Sequence, residues 1–307
     1  MSTDAGPSWP GCHGVRLAGE DFSVGTACGT PLLDATVAVR ELPAPAGPEL
    51  WRIHGEAETA TGTRQVDRWL CRHPDAGLVV HASAGPAVAV DPATHAISIE
   101  AGDTHVSLQL LTSFAIPMLL NSNGVLVLHA SACASDGGAV VVCGPSGAGK
   151  SSALIALLEH GWQTLSEDVC AIDLRADVAM AWPGPPWVRR RQGEPGPAGA
   201  TRRFESPDKV AWDIGRWHAP SAVPVTRLVF LDVPGGSVPE ERVLTQPAAV
   251  RALAGQAAWL LDPDEGPAQL FAGTLELTQR IPSTVLRFPR DPTWTAHLPS
   301  MLARHAV

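Results

Sequence analysis

The sequence predicts an α/β protein in which a phosphate-binding strand, loop and helix follow a β-rich N-terminal region. Three observations support this fold class. Short β-type segments broken by turn residues run from about residue 35 to residue 111. A buried-strand pattern at residues 139–143 leads into a glycine-rich loop, and residues 151–160 then have helical composition. Strand-like and helical segments continue to alternate toward the C-terminus.

Residues 1–118 are predicted to form a mainly β domain. Turn residues such as Asp91-Pro92 separate its apolar segments. No motif in this part carries chemistry. The expected strands are residues 35–39, 77–82, 87–90, 96–100 and 105–111.

Residues 119–307 are predicted to form the second domain, which contains the glycine-rich loop. An apolar strand at 125–129 precedes a tight hairpin turn at 135–138. The Pro- and Gly-dense stretch 182–208 is predicted to be a long loop. The remaining expectations are strands at 164–174 and 225–233, a helix at 248–259, and a short strand and helix within 284–305.

Composition narrows the function classes. Hydrophobic residues make up 45% of the 307 and charged residues 17%, enough apolar content for a core. A net charge of −9 argues against nucleic acid as the main partner. No apolar run is long enough to span a membrane, and the polar first ten residues do not resemble a signal peptide.

Cys143 and Cys170 lie in apolar runs and are expected to be reduced, which favours the cytoplasm. The oligomeric state stays open, a homo-oligomer included.

A phosphate-binding loop is the strongest motif in the chain. The pattern G-x-x-x-x-G-K-[ST] is matched at every fixed position by residues 144–151. Glycines let backbone N–H groups turn toward phosphate oxygens, and the following helix points its positive end at the same anion. Lys150 is expected to reach the outer phosphates of ATP and Ser151 to ligate Mg²⁺. The predicted nucleotide contacts are Gly144, Pro145, Ser146, Gly147, Ala148, Gly149, Lys150, Ser151 and Ser152.

Two acidic segments compete to complete this site. Glu167 and Asp168 are adjacent, so one can hold metal while the other accepts a substrate proton. Asp232 ends the apolar run 228–231, a pattern typical of ATPases. It is followed by Val-Pro rather than by the second acid that such enzymes commonly use. We therefore favour Glu167 and Asp168, and interpret Asp232 as a residue at the end of a strand.

These residues resemble the HPr kinase/phosphorylase-like family. More narrowly, they are similar to the HPr-kinase-related kinases of bacterial gene clusters for modified peptides, including lasso peptides. The resemblance is carried by Leu128-His129-Ala130-Ser131, by the loop and helix that follow, and by Leu165-Ser166-Glu167-Asp168. It is strong over residues 119–172. It implies a kinase core similar to the phosphoenolpyruvate carboxykinase nucleotide fold.

The resemblance also implies roles for single residues. His129 matches the family histidine near the transferred phosphate, and Lys209 matches a lysine of the related kinases. Glu167 stands where the family usually has Asp, and Ser152 where HPr kinase itself tends to have Glu, which argues against HPr as substrate. We expect Asp168 to ligate the metal and Glu167 to act as general base, because a metal-bound carboxylate is a poor proton acceptor.

The sequence thus predicts a kinase that passes the γ-phosphoryl group of ATP to a hydroxyl. A Ser or Thr of a peptide in natural-product biosynthesis is the first expectation for the acceptor. A small hydroxylated metabolite is the second, and a non-catalytic nucleotide-dependent scaffold or switch is the rival function. Arginines in the stretch 182–208 can clamp phosphate or an acidic peptide. The substrate-side candidates are Lys209, Arg189, Arg190 and Arg191.

Overall fold

The computed structural model describes most of the chain. The described residues are 9–10, 12–13, 15–18, 24–25, 31–45, 49–59, 62–83, 85–102, 104–205, 209–232, 239–256, 266–288 and 292–303. Parts of the predicted elements from residue 119 onward fall outside these ranges, namely residues 206–208, 233, 257–259, 289–291 and 304–305. The predicted domain boundary after residue 118 stays a prediction, and residue 118 lies within a helix.

The N-terminal region contains a sheet that has seven strands in the described residues. The strands of this region are β1 (Trp9–Pro10), β2 (Val15–Ala18), β3 (Val24–Gly25), β4 (Leu33–Val39), β5 (Glu49–Thr59), β6 (Gly62–His73), β7 (Gly77–Ala82), β8 (Val88–Asp91) and β9 (Ala96–Ile99). The sheet order is β2-β4-β9-β8-β7-β6-β5, and β1 pairs with β3 apart from it. Consecutive strands from β5 to β9 pair antiparallel. The strands predicted at 35–39, 77–82, 87–90 and 96–100 are confirmed within one or two residues.

The strand predicted at residues 105–111 is wrong. Helix α1 (Thr104–Leu110) covers it and continues through a π-helical turn (Leu111–Ala115) into α2 (Ile116–Ser122). Helical spacing relates Leu108, Leu111 and Ala115. Apolar and polar residues also alternate locally, and this alternation led to the strand prediction. The buried side chains of 110–120 pack into one cluster with the N-terminal sheet. Pro117 is the second residue after the π-helical turn and has no N–H to donate.

A mixed sheet that has nine strands in the described residues follows. The elements after α2 are β10 (Leu126–Leu128), β11 (Ser131–Ser135), β12 (Gly138–Cys143), α3 (Lys150–Glu159), β13 (Gln163–Ser166), β14 (Cys170–Asp173), β15 (Met180–Trp182), β16 (Trp187–Arg191), β17 (Thr201–Glu205), β18 (Lys209–Asp213), β19 (Val223–Asp232), β20 (Glu240–Val243), α4 (Gln246–Ala254), α5 (Gly266–Arg280), β21 (Ser283–Arg287) and α6 (Leu298–Ala303). Short 3₁₀ turns cover Gly215–Trp217 and Pro292–His297.

The centre of this sheet is parallel. The order is β10-β14-β15-β19-β12-β11-β13, and β21 pairs with β19 and β20. β19 runs parallel to β12 on one side and to β21 on the other. β11 is antiparallel to both β12 and β13, so β12 and β13 run in the same direction. The carboxyl ends of β12, β13 and β19 therefore meet at one edge of the sheet.

Helices cover both faces of this sheet. Val140 and Val142 of β12 pack in one cluster with α3 and α6, and Val141 and Cys143 pack in another with α4 and α5. Each cluster takes alternate residues of β12, as a strand buried on both faces requires. The α/β fold class follows from this arrangement.

The predicted loop at 182–208 contains two strands of a small sheet, β16 and β17, joined by irregular connections. β16 and β17 both pair with β18, which gives the order β16-β18-β17. Aromatic and arginine contacts hold it together: the Trp187 and Phe204 rings lie 5.4 Å apart, and the Arg203 guanidinium lies 5.2 Å above the Trp187 ring. Glycine and proline are concentrated in the connections before and after β16. The overall composition of the stretch therefore hid two strands.

The predictions for cysteine and membrane segments have partial outcomes. Cys143 and Cys170 are buried free thiols, as expected, and Cys12, Cys71 and Cys133 share that state. Cys28 lies outside the described residues. In the part of the chain that the structure describes, no helix is long and apolar enough to cross a bilayer.

Candidate active site

The predicted phosphate-binding loop joins β12 to α3 at the sheet edge. Gly147 and Gly149 have φ values of +79° and +92°, a region that strains any residue with a Cβ. A Cβ on Gly149 would also lie 2.9 Å from Cζ2 of Trp294. The loop conformation and the tight cover by Trp294 therefore both depend on glycine. Sequence reasoning missed Trp294, which belongs to no motif.

Lys150 folds back over this loop. Its Nζ donates hydrogen bonds to the carbonyl oxygens of Gly144 at 2.7 Å and Pro145 at 3.3 Å. The side chain is buried, and burial lowers the pKa of Lys150 against the opposing effect of Asp168 and Glu167. The ammonium is thus held at the loop by neutral carbonyl groups that phosphate oxygens can replace.

The two candidate acids sit in a strained turn between β13 and β14. This turn interrupts the continuous strand predicted at 164–174. Asp168 has a φ of +71°, and the N–H of Val169 donates to the Glu167 carbonyl at 2.9 Å. Positive φ with a bond between residues two apart defines the less common γ-turn, which is strained. Strain of this kind persists where surrounding contacts enforce it, and it is concentrated at functional sites.

Glu167 points toward the phosphate-binding loop. The Ser151 hydroxyl donates to its Oε1 at 2.7 Å. Its Oε2 is buried and has no hydrogen-bond partner, although the Arg189 Nε lies 3.7 Å away. Burial, and next the charge of Asp168, raise the pKa of Glu167. A buried carboxylate oxygen without a hydrogen bond is suited to receive a cation.

Asp168 lies beside His129. The His129 Nδ1 is 2.8 Å from the Asp168 carbonyl oxygen and 3.5 Å from Oδ1 of its carboxylate. A carbonyl only accepts, so Nδ1 carries a proton. Burial lowers the pKa of His129. Burial alone would raise the pKa of Asp168, but the charges of Arg189, His129, Lys209 and Lys150 outweigh it and lower this pKa to about 2.

β16 brings two of the predicted arginines to the acids and to α3. Arg189 forms an ion pair through Nη2 with the Asp168 carboxylate. Arg190 donates to the Ser152 hydroxyl at 3.0 Å and pairs with Glu194 at 3.1 Å. Arg191 is exposed at the end of the strand. The structure thus links β16 to both the acidic turn and the first turn of α3.

Lys209 enters from the neighbouring strand β18, opposite Arg191. The positive charge of Lys209 acts to lower the pKa values of Glu167, Asp168 and Lys150. In each case burial or another charge has a larger effect, and for Glu167 the net shift is upward. Lys209 is therefore part of the electrostatic environment of the site.

Asp232 lies at the same sheet edge but in a different setting. It ends β19 and bonds the Arg287 Nε at 2.9 Å, and both side chains are nearly half exposed. This carboxylate has an arginine of the adjacent strand as partner, and no described contact joins it to Ser151 or Lys150.

The chemistry of the donors suits a nucleotide together with its metal ion. In the described part of the chain, no group of three His, Cys, Asp or Glu side chains could hold a metal unaided. Mg²⁺ usually takes one or two protein ligands and completes its shell with water and phosphate oxygens. Ser151 and the Oε2 atom of Glu167, which has no hydrogen-bond partner, meet that smaller requirement.

Comparison with known proteins adds a likeness of fold alone. The chain matches no described protein family and no curated protein. One solved structure that it resembles is the HPr(Ser) kinase/phosphatase from Coxiella burnetii. The two are 14% identical with a TM-score of 0.33, over 58% of this chain and 95% of that one. A likeness of this size carries no argument about activity.

Proposed function

We propose that the chain is an ATP-dependent kinase that transfers the γ-phosphoryl group to a hydroxyl oxygen. One observation carries the proposal: the Ser151 hydroxyl of the phosphate-binding loop bonds Glu167, and the next residue, Asp168, lies beside His129. Phosphoryl transfer to an alcohol requires a loop that binds phosphate, an acid near the serine that ligates the metal, and a second acid that can accept a proton. Residues of this site could fill each of these roles.

Glu167 is the better candidate for the metal side, in contrast to the division expected from sequence. It bonds Ser151, its Oε2 has no hydrogen-bond partner, and only 4% of its side chain is exposed. Together with Ser151 it would hold Mg²⁺, which would neutralise phosphate charge and orient the γ-phosphoryl group. An acid this buried has little access to an incoming acceptor.

Asp168 is the better candidate for the general base. Its side chain is 23% exposed beside His129 at 27%, so an acceptor hydroxyl can reach it. The acceptor oxygen gives its proton to Asp168 and forms a bond to the γ-phosphorus. The bond from phosphorus to the bridging oxygen breaks, and ADP leaves. Arg189 is the strongest of the charges that lower the pKa of Asp168 to about 2, so it has to leave the carboxylate before Asp168 can accept a proton. Its guanidinium can then balance charge on the γ-phosphate.

For the acceptor we propose a Ser or Thr of a peptide, as in bacterial natural-product biosynthesis. This choice follows the resemblance of residues 119–172 to kinases of modified-peptide clusters. A small hydroxylated metabolite is the alternative acceptor. A nucleotide-dependent switch without catalysis is the alternative function, and it predicts binding of ATP without transfer.

The test is the intact mass of serine-containing peptides and hydroxylated metabolites after incubation with ATP and Mg²⁺. The proposal predicts the gain of one phosphoryl group on an acceptor. Lys150→Ala should abolish this gain while circular dichroism shows a folded protein, because the outer phosphates lose their cation. The matched control is Glu159→Ala, an exposed position at the far end of the helix that Lys150 begins, which should retain activity. ATP binding without transfer, or transfer by Lys150→Ala, would contradict the proposal.

A further inference from the structure

The guanidinium group of Arg189 interacts with both candidate acids. Its Nη2 atom pairs with the Asp168 carboxylate, and its Nε atom lies 3.7 Å from Oε2 of Glu167. Only 11% of the Arg189 side chain is exposed, and Glu167 is more buried still. Charges that are buried to this extent are normally paired with an opposite charge. One cation of the protein therefore lies against both carboxylates, including the oxygen proposed above to hold Mg²⁺.

The same guanidinium restricts access to the candidate base. Both carboxylate oxygens of Asp168 face a nitrogen atom: Oδ2 faces Arg189, and Oδ1 is 3.5 Å from Nδ1 of His129. An acceptor hydroxyl has to come within hydrogen-bond distance of one of these oxygens to give up its proton. Movement of Arg189 would open Oδ2 to such a hydroxyl.

The strand that carries Arg189 is held in place, so the movement falls to the side chain. Arg190, the next residue of β16, points to the other face of the strand and donates to the Ser152 hydroxyl of α3 at 3.0 Å. Val188 is fully buried in the cluster that contains the apolar residues of α3. Arginine has a long side chain with many rotamers, so its guanidinium can turn away from the acids while β16 stays against α3.

The nucleotide and its metal ion would cause this movement. A divalent ion held by Ser151 and by Oε2 of Glu167 would be a close neighbour of the Arg189 guanidinium. Like charges in a buried site repel more strongly than in water, because the effective dielectric constant is lower. The γ-phosphate would bring a new partner at the same time, since guanidinium groups pair well with phosphate oxygens.

We propose that Arg189 competes with Mg²⁺·ATP for the two acids, and that its release from Asp168 admits the acceptor hydroxyl. This inference rests on the proposed kinase function and concerns the regulation of its site. It gives the reaction an order, because the base stays covered until ATP is bound. ATP therefore binds before the acceptor.

The first test measures the binding of Mn²⁺, in place of Mg²⁺, by electron paramagnetic resonance without nucleotide. Arg189→Met removes the competing charge and should bind Mn²⁺ about tenfold more tightly than the wild type or better, because the two cations exclude each other. Arg202→Met makes the same change of charge at an exposed position of β17, in the same small sheet. It is the matched control and should keep the wild-type affinity.

The second test uses the wild type, so it does not depend on the folding of any variant. Crystals grown with Mn²⁺ and a non-hydrolysable ATP analogue should show Nη2 of Arg189 separated from the Asp168 carboxylate. β16 should keep its contact with Ser152 in these crystals.

Three results would overturn the inference: no gain in Mn²⁺ affinity in Arg189→Met, an equal gain in Arg202→Met, or Arg189 still paired with Asp168 when Mn²⁺ and the nucleotide are bound. Neither test needs phosphoryl transfer, so the two proposals can fail separately. A chain that phosphorylates an acceptor but gives one of these results is a kinase without this competition. A chain in which Arg189→Met gains affinity but no acceptor is phosphorylated has the competition and refutes the kinase.

Discussion

Two acidic strand ends lie at the same edge of the central sheet, and their surroundings differ. Asp232 ends the strand next to β12, is nearly half exposed and is paired with Arg287. Glu167 and Asp168 follow a strand two places away, yet they contact Ser151, His129 and Arg189. A strand next to the predicted phosphate-binding loop is therefore not enough to place a carboxylate against Ser151. The acidic pair differs from Asp232 in its burial, in a carboxylate oxygen without a hydrogen-bond partner and in the turn that holds both residues.

The largest expected difference between the two regions is in turnover. Asp168→Asn should lower the rate of phosphoryl transfer by about 10²–10⁴-fold, because the general base is lost. Asp232→Asn should change it by less than about threefold, because it removes only an exposed ion pair. Single-turnover kinetics on both variants measures this. The reverse pattern would place the chain among ATPases that use an acid on the strand next to the loop.

A second difference concerns the metal. Glu167→Gln should weaken Mg²⁺·ATP binding by about tenfold or more, since even outer partners of a metal site contribute that much. Binding of ATP without Mg²⁺ should change little. Calorimetry with and without Mg²⁺ checks this, with Asp168→Asn as the matched variant, which should keep its Mg²⁺·ATP affinity. If only Asp168→Asn lost ATP affinity in the presence of Mg²⁺, Asp168 would be the metal ligand and Glu167 the base, as the sequence predicts.

A third difference between the two regions is backbone strain at Asp168. Asp168 has a positive φ, so Asp168→Gly should be more stable than Asp168→Ala by about 1–2 kcal/mol. Asp232 is in a strand, so Asp232→Ala should be the more stable of its pair by about 0.5–1 kcal/mol. Urea denaturation of the four variants measures both differences. The same order at the two positions would show that the γ-turn is not strained.

The smallest effect is a dependence of stability on pH. The pKa of Glu167 is raised by burial and by Asp168, so the folded state binds this proton more readily than the unfolded chain. Its contribution to stability therefore falls as pH rises from about 4.5 through the folded pKa. Glu167→Gln should gain stability relative to the wild type over this window, because its amide has no proton to lose. The control variant Ser146→Ala removes no titrating group. Its stability relative to the wild type should therefore stay constant in denaturation curves from acid to neutral pH.

The sequence predicted those parts of the site that are local in the chain. The strand, loop and helix around residues 138–159 follow from spacing and glycine placement, and the structure has them within one residue. The acidic pair was also found from its proximity to the loop. Its γ-turn was not, because no glycine or proline between Leu165 and Cys170 signals a break.

Other features depend on distant contacts. The division of roles between the acids rests on the Ser151 contact and on exposure, which spacing cannot give. The loop prediction for 182–208 was based on composition and missed two strands. Prolines and glycines in the connections outnumber the strand residues that pack on Trp187 and Trp212. The helix at 104–110 was mistaken for a strand because a seven-residue window fits both periods.

The position of the metal ion decides between Glu167, Asp168 and Asp232 as its carboxylate ligand. A crystal of the chain with Mn²⁺ in place of Mg²⁺ and a non-hydrolysable ATP analogue gives that position from anomalous scattering. We expect a single peak about 2.2 Å from the Ser151 hydroxyl oxygen and from a carboxylate oxygen of Glu167, with Asp168 facing the acceptor. A peak bound to Asp232, or to Asp168 with Glu167 released from Ser151, would contradict it.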